Sequence, residues 1–174
     1  MTKKERYISN TDYELLTKLY PHKMDKVIEK INNDYPIQYL IGNVDFYGYK
    51  INVDERALIP RFETEGLIDE LIKLIKAQSF IEELKIFEVG TGSGCIAITL
   101  SKELNTSVDT MDISKNAIDL ASSNAVLNKA NVNFLHGDIK NCTISKKYNI
   151  LVSNPPYVRY DEPVDPATKY EPQN

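Results

Sequence analysis

The sequence of 174 residues has only two cysteines and two histidines. Cys95 and Cys142 match no metal-ligand spacing and are too few for a disulfide framework, which favours a reducing cytoplasm. No apolar run approaches the roughly 20 residues that a membrane span needs. Residues 1–10 carry charges without the apolar core of a secretory signal. We therefore expect a soluble cytoplasmic protein with no metal site and no membrane contact.

Positive charge is also scarce, with 21 basic residues against 25 acidic ones and a net charge of −4. A protein that grips nucleic acid phosphates usually shows the opposite balance. The composition therefore argues against direct nucleic acid binding, although a local basic patch is compatible with it. The length fits one ordinary domain, or one domain with a small appendage.

The first 34 residues predict a small helical segment. Thr11 and Glu14 fit a capping box at the start of a first helix, and Pro21 ends that helix. An apolar stripe at helical spacing predicts a second helix. Its members are Met24, Val27, Ile28 and Ile31.

Residues 35–60 predict a β-hairpin that links this segment to the rest of the chain. The short β-like pieces are 39–41, 44–47 and 49–53, with a turn around Gly48.

Residues 61–174 predict an α/β domain. A helix over 63–78 precedes strands at 84–89, 107–111, 131–135 and 148–153, with helices at 95–104 and 114–128. This alternation implies a parallel sheet covered by helices, in which ligands bind outside the carboxyl ends of the strands. The functional residues are therefore expected where each strand ends.

The first of these strands ends in a glycine-rich loop, whose candidate cofactor-binding residues are Glu88, Gly90, Thr91, Gly92, Ser93 and Gly94. Alternate glycines allow the backbone to approach a ligand closely. A dinucleotide motif would need glycine in place of Cys95, and a phosphate-binding loop would need a lysine followed by serine or threonine. Glu88 would repel a pyrophosphate but attract an ammonium and a sulfonium, which favours S-adenosyl-L-methionine over a plain glycine-rich turn.

The next two strands end in further candidate cofactor residues. Asp112 is placed to accept hydrogen bonds from two ribose hydroxyls, to cap the following helix, or to do both. Asp138 is placed to accept from an adenine amino group, and Ile139 to cover the ring. We expect His136 to make a local hydrogen bond rather than to carry protons.

The fourth strand ends in Asn154, Pro155, Pro156 and Tyr157. Prolines restrict the preceding residue and supply carbonyls without donors, so this corner offers acceptors to a planar –NH2 group. Tyr157 is placed to cover the flat face of that –NH2 group. Asn154 is also a candidate cofactor-binding residue. Holding a poorly nucleophilic amide in this way would aim its nitrogen at a methyl donor. The alternative is a motif that only ends the strand.

These motifs together resemble the HemK/PrmC family, the glutamine methyltransferases of class I peptide chain release factors. The resemblance is carried by stretches 36–42, 58–65, 87–94 and 154–157. It implies a Rossmann-like fold that depends on S-adenosylmethionine. It also implies a substrate glutamine in the Gly-Gly-Gln motif of a release factor, bound at residues 154–157. The segment from 36–42 through 58–65 is the more discriminating, because the Asn-Pro-Pro-Tyr motif is shared with DNA amino-methyltransferases.

The chain also departs from the family pattern. Phe62 stands where proline is usual, an aromatic residue that is compatible with a position over the cofactor, and the segment before Pro36 is short. The resemblance places residue 174 inside the catalytic domain, so we expect an incomplete domain of four strands. Alternatives are a ribosomal-protein glutamine methyltransferase, a DNA or RNA amino-methyltransferase, and an inactive cofactor-binding fragment.

An incomplete domain has consequences for the fourth strand. Its apolar run, residues 150–152, suits a strand buried on both faces, yet it would lie at the sheet edge. We expect self-association through this strand or disorder after Tyr157, where prolines at 163, 166 and 172 break any regular element. We also expect weak or absent methyl transfer.

Overall fold

The helices and strands follow the predicted order along the chain. A computed structural model describes residues 6–78, 84–155 and 165–172. The helices are α1 (Asn10–Leu19), α2 (Met24–Asn32), α3 (Ile37–Ile41), α4 (Phe62–Ala77), α5 (Cys95–Leu104) and α6 (Lys115–Asn128). The strands are β1 (Asn43–Phe46), β2 (Tyr49–Asn52), β3 (Ile86–Val89), β4 (Val108–Asp112), β5 (Val132–His136) and β6 (Ile150–Ser153). Within the described ranges, no helix is long and apolar enough to cross a membrane.

Helix α1 begins earlier than the sequence indicated. Ser9 is its N-cap, and the Ser9 hydroxyl accepts a hydrogen bond from the Asp12 amide at 3.1 Å. The same hydroxyl donates to the Asp12 carboxylate at 2.7 Å. The predicted capping box at Thr11 and Glu14 is therefore wrong, because the helix begins two residues earlier, where the Ser9 side chain caps it.

The linker contains a short helix before its hairpin. Residues 39–41, expected as β structure, lie in α3, which ends at Gly42 in the left-handed conformation with φ of 82°. A glycine at this position is a common end for a helix. The predicted hairpin is confirmed, since β1 and β2 pair antiparallel. Phe46 and Ile51 of the hairpin lie in the same core as the side chains of the parallel sheet.

Strands β3 to β6 form a parallel sheet in the order β5-β4-β3-β6. The chain steps from β3 through α5 to β4, and from β4 through α6 to β5, in one direction along the sheet. Right-handed crossovers therefore place α5 and α6 on the same face. The register sets Glu88 beside Thr110 on one face and Phe87 beside Asp109 on the other.

The face that carries Phe87 and Asp109 is covered by the segment before β6. The Tyr148 ring lies 5.0 Å from the Phe87 ring, and both Lys146 and Tyr148 donate to the Asp109 carboxylate. Leu151 of β6 lies on this face and is 70% exposed. Among the described strands β6 pairs only with β3, as the predicted edge position requires. The apolar run 150–152 is therefore not covered on both faces within the described residues, since nothing described covers Leu151.

The last described segment folds back on the N-terminal half. Residues Pro166–Tyr170 form a 3₁₀ helix, so the expectation that prolines prevent regular structure there is wrong. Proline fits the first turn of a helix because its missing N–H has no partner to lose. Arg61 donates to both carboxylate oxygens of Glu171 at 2.7 Å, and the Tyr170 hydroxyl donates to the Asn33 carbonyl at 3.0 Å.

Candidate functional site

A cavity of about 240 Å³ lies at the carboxyl ends of β3, β4, β5 and β6. It brings together predicted residues from all four strand ends, since parallel strands present these ends along one edge of the sheet. The predicted residues that line it are Gly90, Gly92, Asp112, Asp138, Ile139, Asn154 and Pro155.

The glycine loop after β3 bends over the end of β4. The amides of Gly90 and Thr91 both donate to the Met111 carbonyl, at 2.8 and 3.2 Å. Gly90 and Gly92 have positive φ angles and open space where a Cβ would stand, so they can approach a ligand. Gly94 serves a different purpose, because a Cβ there would lie 3.0 Å from the Ala121 Cβ. It allows the start of α5 to pack against α6.

Glu88 lies beneath the loop and does not line the cavity. Its side chain is only 1% exposed, and its Oε2 accepts from the Thr110 hydroxyl at 2.8 Å. The Thr110 and Thr91 hydroxyls are 2.7 Å apart, which extends the bonded chain to the loop. Burial raises the pKa of Glu88 to about 8, and the negative charge of Asp112 raises it further while the Thr110 hydrogen bond opposes the rise. Because Glu88 does not line the cavity, its predicted attraction of an ammonium stays a prediction.

Thr91 and Ser93 are also buried and support the loop from below, at 3% and 2% exposure. The Ser93 carbonyl accepts from the Asn124 side chain at 2.9 Å, and the same side chain donates to the Asn52 carbonyl at 2.9 Å. Asn124 of α6 therefore ties the glycine loop to the hairpin. The side chains of Thr91 and Ser93 do not line the cavity, and their predicted contact with the cofactor stays a prediction.

Asp112 connects the end of β4 to the glycine loop. Its Oδ2 accepts from the Gly92 amide at 2.9 Å, and its Oδ1 accepts from the Ser114 amide at 2.8 Å. Ser114, as predicted, is the N-cap of α6 and accepts from the Ala117 amide, so Asp112 is not the cap. Each carboxylate oxygen has two lone pairs, so both can accept one further hydrogen bond from the cavity side.

Asp138 and Ile139 stand at the end of β5. The Asp138 carboxylate accepts from the Lys140 amide and from the Asn141 side chain, both at 2.9 Å. Ile139 is 39% exposed and offers an apolar surface to the cavity. His136 Nε2 lies 3.1 Å from the Ile113 carbonyl, which confirms the expected local hydrogen bond.

Asn154 and Pro155 stand at the end of β6, on the opposite side of the cavity from Asp138 in sheet order. The Asn154 side-chain nitrogen donates to the Thr64 hydroxyl at 3.0 Å. Pro156 and Tyr157 lie outside the described residues, so their predicted roles stay predictions.

Part of the cavity wall was missed by the sequence reasoning. Its members are Arg56, Ala57 and Leu58, which follow the hairpin, and Pro172 near the C-terminal end. The resemblance over 58–65 was the available signal for this part of the wall, but the contact that it suggested was at Phe62. Phe62 of the same stretch is 82% exposed and does not line the cavity.

The strand-end cavity and its glycine loop define a nucleoside-binding type of α/β protein, and comparison with known proteins narrows the class. Residues 68–168 match the model of the methyltransferase small domain family, more than half of the chain, so the chain belongs to that family. The release factor glutamine methyltransferase of Lactococcus lactis is 41% identical over 95% of this chain and 58% of its own length. That of Flavobacterium psychrophilum is 43% identical over 78% of this chain and 48% of its own. These relatives confirm the resemblance to the HemK/PrmC family. The chain spans about half the length of the curated relatives that it matches.

Solved structures show the same fold. A Pyrococcus abyssi tRNA (uracil-54, C5)-methyltransferase superposes with a TM-score of 0.54 at 18% identity, over 66% of this chain and 28% of its own. A human methyltransferase 10 domain containing protein gives a TM-score of 0.52 at 20% identity, over 65% of this chain and 57% of its own. Together with the parallel sheet, they confirm the predicted Rossmann-like methyltransferase fold, of which the described residues contain four strands.

Proposed function

We propose that this chain serves the transfer of a methyl group from S-adenosyl-L-methionine to the side-chain amide nitrogen of a protein glutamine. The proposed substrate is the glutamine of the Gly-Gly-Gln motif in a class I peptide chain release factor. The observation that carries the proposal is one cavity with a glycine loop and two acidic strand ends on one side and Asn154 on the other. The relatives named above as release factor glutamine methyltransferases support the choice of substrate.

The residues around the cavity fit the cofactor. S-adenosylmethionine supplies an electrophilic methyl group on a sulfonium when it is bound. Gly90 and Gly92 leave room for its methionine part, and Asp112 has lone pairs left for the two ribose hydroxyls. Asp138 and Ile139 are proposed to hold the adenine. Glu88, Thr91, Ser93 and Gly94 are proposed to hold the loop in shape from below.

The substrate side is proposed to orient a planar amide. The Asn154 side-chain oxygen and the Pro155 carbonyl accept its two N–H donors, which fixes the nitrogen in front of the methyl group. Tyr157, with Pro156, is proposed to cover the flat face of the amide. A nitrogen–carbon bond forms as the sulfur–carbon bond breaks, and the amide proton leaves to water once the methylated nitrogen has become acidic. Residues 61–174 are proposed as the catalytic part, preceded by the helical segment 1–34 and the linker 35–60.

The proposal is tested with labelled S-adenosylmethionine and a purified class I release factor. We expect label on the wild-type release factor and none on a variant whose Gly-Gly-Gln glutamine is replaced by alanine. Purified ribosomal proteins form the second arm. Label on a ribosomal protein in place of the release factor would replace the proposed substrate, and cofactor binding without any transfer would show an inactive cofactor-binding chain.

A further inference from the structure

One residue of the stretch 58–65 has a contact that the proposed function does not use. Thr64 lies in the first turn of α4 and is 7% exposed, so it does not reach the cavity. Its hydroxyl oxygen accepts a hydrogen bond from the Asn154 side-chain nitrogen at 3.0 Å, across 90 residues of sequence. The more discriminating segment of the family resemblance, 36–42 through 58–65, is therefore in direct contact with the residue proposed to hold the substrate amide.

We propose that Thr64 is a positioning residue that fixes the orientation of the Asn154 carboxamide, and this inference rests on the proposed function. A carboxamide is planar, with an acceptor oxygen at one end and a donor nitrogen at the other. Since the nitrogen is bonded to Thr64, the oxygen is the end left to accept. Within the described part of the chain no donor contacts that oxygen, which remains available to a ligand in the cavity.

The Thr64 hydroxyl can act in this way because the chain around it is held in place. The Thr64 amide donates to the Arg61 carbonyl at 3.0 Å, and Arg61 is bonded to Glu171, whose side chain is only 4% exposed. The next residue, Glu65, accepts from the Tyr47 amide at 3.1 Å. Threonine is also stiff about its first side-chain torsion, so the hydroxyl oxygen stays in place. Its proton can rotate, so it is the observed bond, with Thr64 as the acceptor, that leaves the Asn154 oxygen towards the cavity.

The orientation matters because the proposed substrate group is itself a donor. With its oxygen towards the cavity, Asn154 accepts an N–H from the glutamine amide. If the Asn154 carboxamide were turned by 180°, its –NH2 would face the –NH2 of the substrate glutamine. Neither group would then find an acceptor in the other. Thr64 touches neither the cavity nor the predicted cofactor residues, so its loss is expected to lower the rate of transfer and to leave cofactor affinity unchanged.

The hydrogen bond is tested by nitrogen-15 NMR of the whole chain with S-adenosylhomocysteine. The Asn154 side-chain signals are assigned by their loss in Asn154→Ala. We expect Thr64→Val to shift these signals upfield, since the donated proton loses its acceptor, and Thr64→Ser to keep them near their wild-type positions. Thr99→Val is the matched control, because it removes another buried helical hydroxyl, whose hydrogen bond within the described residues is to the Cys95 carbonyl. Unchanged Asn154 signals in Thr64→Val would overturn the proposal.

The consequence is tested by methyl transfer and calorimetry on the same variants. We expect Thr64→Val to lower kcat by about tenfold or more, the effect of one lost hydrogen bond, with the Kd of S-adenosylhomocysteine within about twofold of wild type. Thr64→Ser and Thr99→Val should transfer as wild type does. Wild-type kcat in Thr64→Val would overturn the positioning role. Absence of transfer by the wild-type chain would instead refute the proposed function, and the NMR result alone would then decide the orientation of Asn154.

Discussion

The Gly92 amide donates to the Asp112 carboxylate at 2.9 Å and joins the glycine loop after β3 to the end of β4. One side chain thereby holds the loop and keeps free lone pairs towards the cavity. Replacing Asp112 would therefore remove two interactions. One is the proposed contact with the ribose, and the other is the hydrogen bond that holds the glycine loop.

We expect Asp112→Ala to weaken S-adenosylmethionine binding by about 1.5–3 kcal/mol, the cost typical of hydrogen bonds to a charged group. Calorimetric titration of wild type and variant measures the difference. Glu70→Ala is the control, because Glu70 is exposed on α4, pairs with Lys73 and does not line the cavity. Equal affinities for wild type and Asp112→Ala would refute the assignment of Asp112 to the cofactor.

Asn154→Ala is expected to abolish most methyl transfer and to leave cofactor affinity nearly unchanged, because its proposed contact is with the substrate amide. Transfer of labelled methyl to a release factor and titration of S-adenosylhomocysteine separate the two effects. Asn116→Ala, an exposed change on α6, should behave as wild type in both. Transfer by Asn154→Ala at the wild-type rate would show that the acceptor argument is wrong.

The hydrogen bonds around Asp109 predict a loss of stability in acid. Burial raises the pKa of Asp109, but hydrogen bonds from Lys146, Asn133 and Tyr148 outweigh it and hold the pKa below its usual value. A depressed folded pKa adds stability above the unfolded value of about 3.9, and this stability is lost as the pH falls through the folded pKa. We expect Asp109→Asn to lower the free energy of unfolding by about 1–3 kcal/mol at pH 7.

Urea denaturation at pH 7 and at pH 3 measures this effect. The difference between wild type and Asp109→Asn should shrink at the lower pH, because protonation of Asp109 removes the same charge. Tyr148→Phe, which deletes one of the three donors, should give a smaller difference at pH 7. A difference that stays constant between the two pH values would contradict the expected titration.

Glu88 predicts the opposite pH dependence. Its folded pKa of about 8 lies above the unfolded value of about 4.3, so the unfolded chain loses the proton first. The stability that the neutral carboxyl provides is complete below the unfolded pKa and is lost as the pH rises towards 8. Glu88→Gln stays neutral at every pH, so its Tm should rise relative to wild type between pH 5 and pH 9.

Thermal unfolding across this range checks the prediction. Glu14→Gln, a substitution at an exposed residue, is the control. Its Tm should differ from that of wild type by the same amount at every pH. A constant difference in Tm between wild type and Glu88→Gln would mean that Glu88 does not titrate in this window.

The exposed side chain of Leu151 on edge strand β6 predicts self-association of this chain. Leu151→Lys should lower the apparent mass seen by light scattering at high protein concentration, because a charge on an edge strand opposes pairing between copies. Leu74→Lys, at another exposed leucine on α4, should leave the mass unchanged. A monodisperse wild-type monomer would contradict the prediction.

The sequence alone determined the order of the elements and the places where ligand-binding residues meet. Hydrophobic periodicity, glycine spacing and the Ser114 cap are local properties of the chain, so they predicted the strands, the glycine loop and α6 correctly. Because parallel strands end at one edge, they also predicted that Asp112, Asp138 and Asn154 surround one cavity.

Only the tertiary structure decided which side chains face that cavity. Glu88 is turned to the helix-covered face by its register beside Thr110, and the burial that follows raises its pKa. Thr64 reaches Asn154 because α4 packs beside the sheet, a contact between segments 90 residues apart. Periodicity in sequence indicates that a face is buried, but not which distant segment covers it, because that depends on strand pairing and on the handedness of the crossovers.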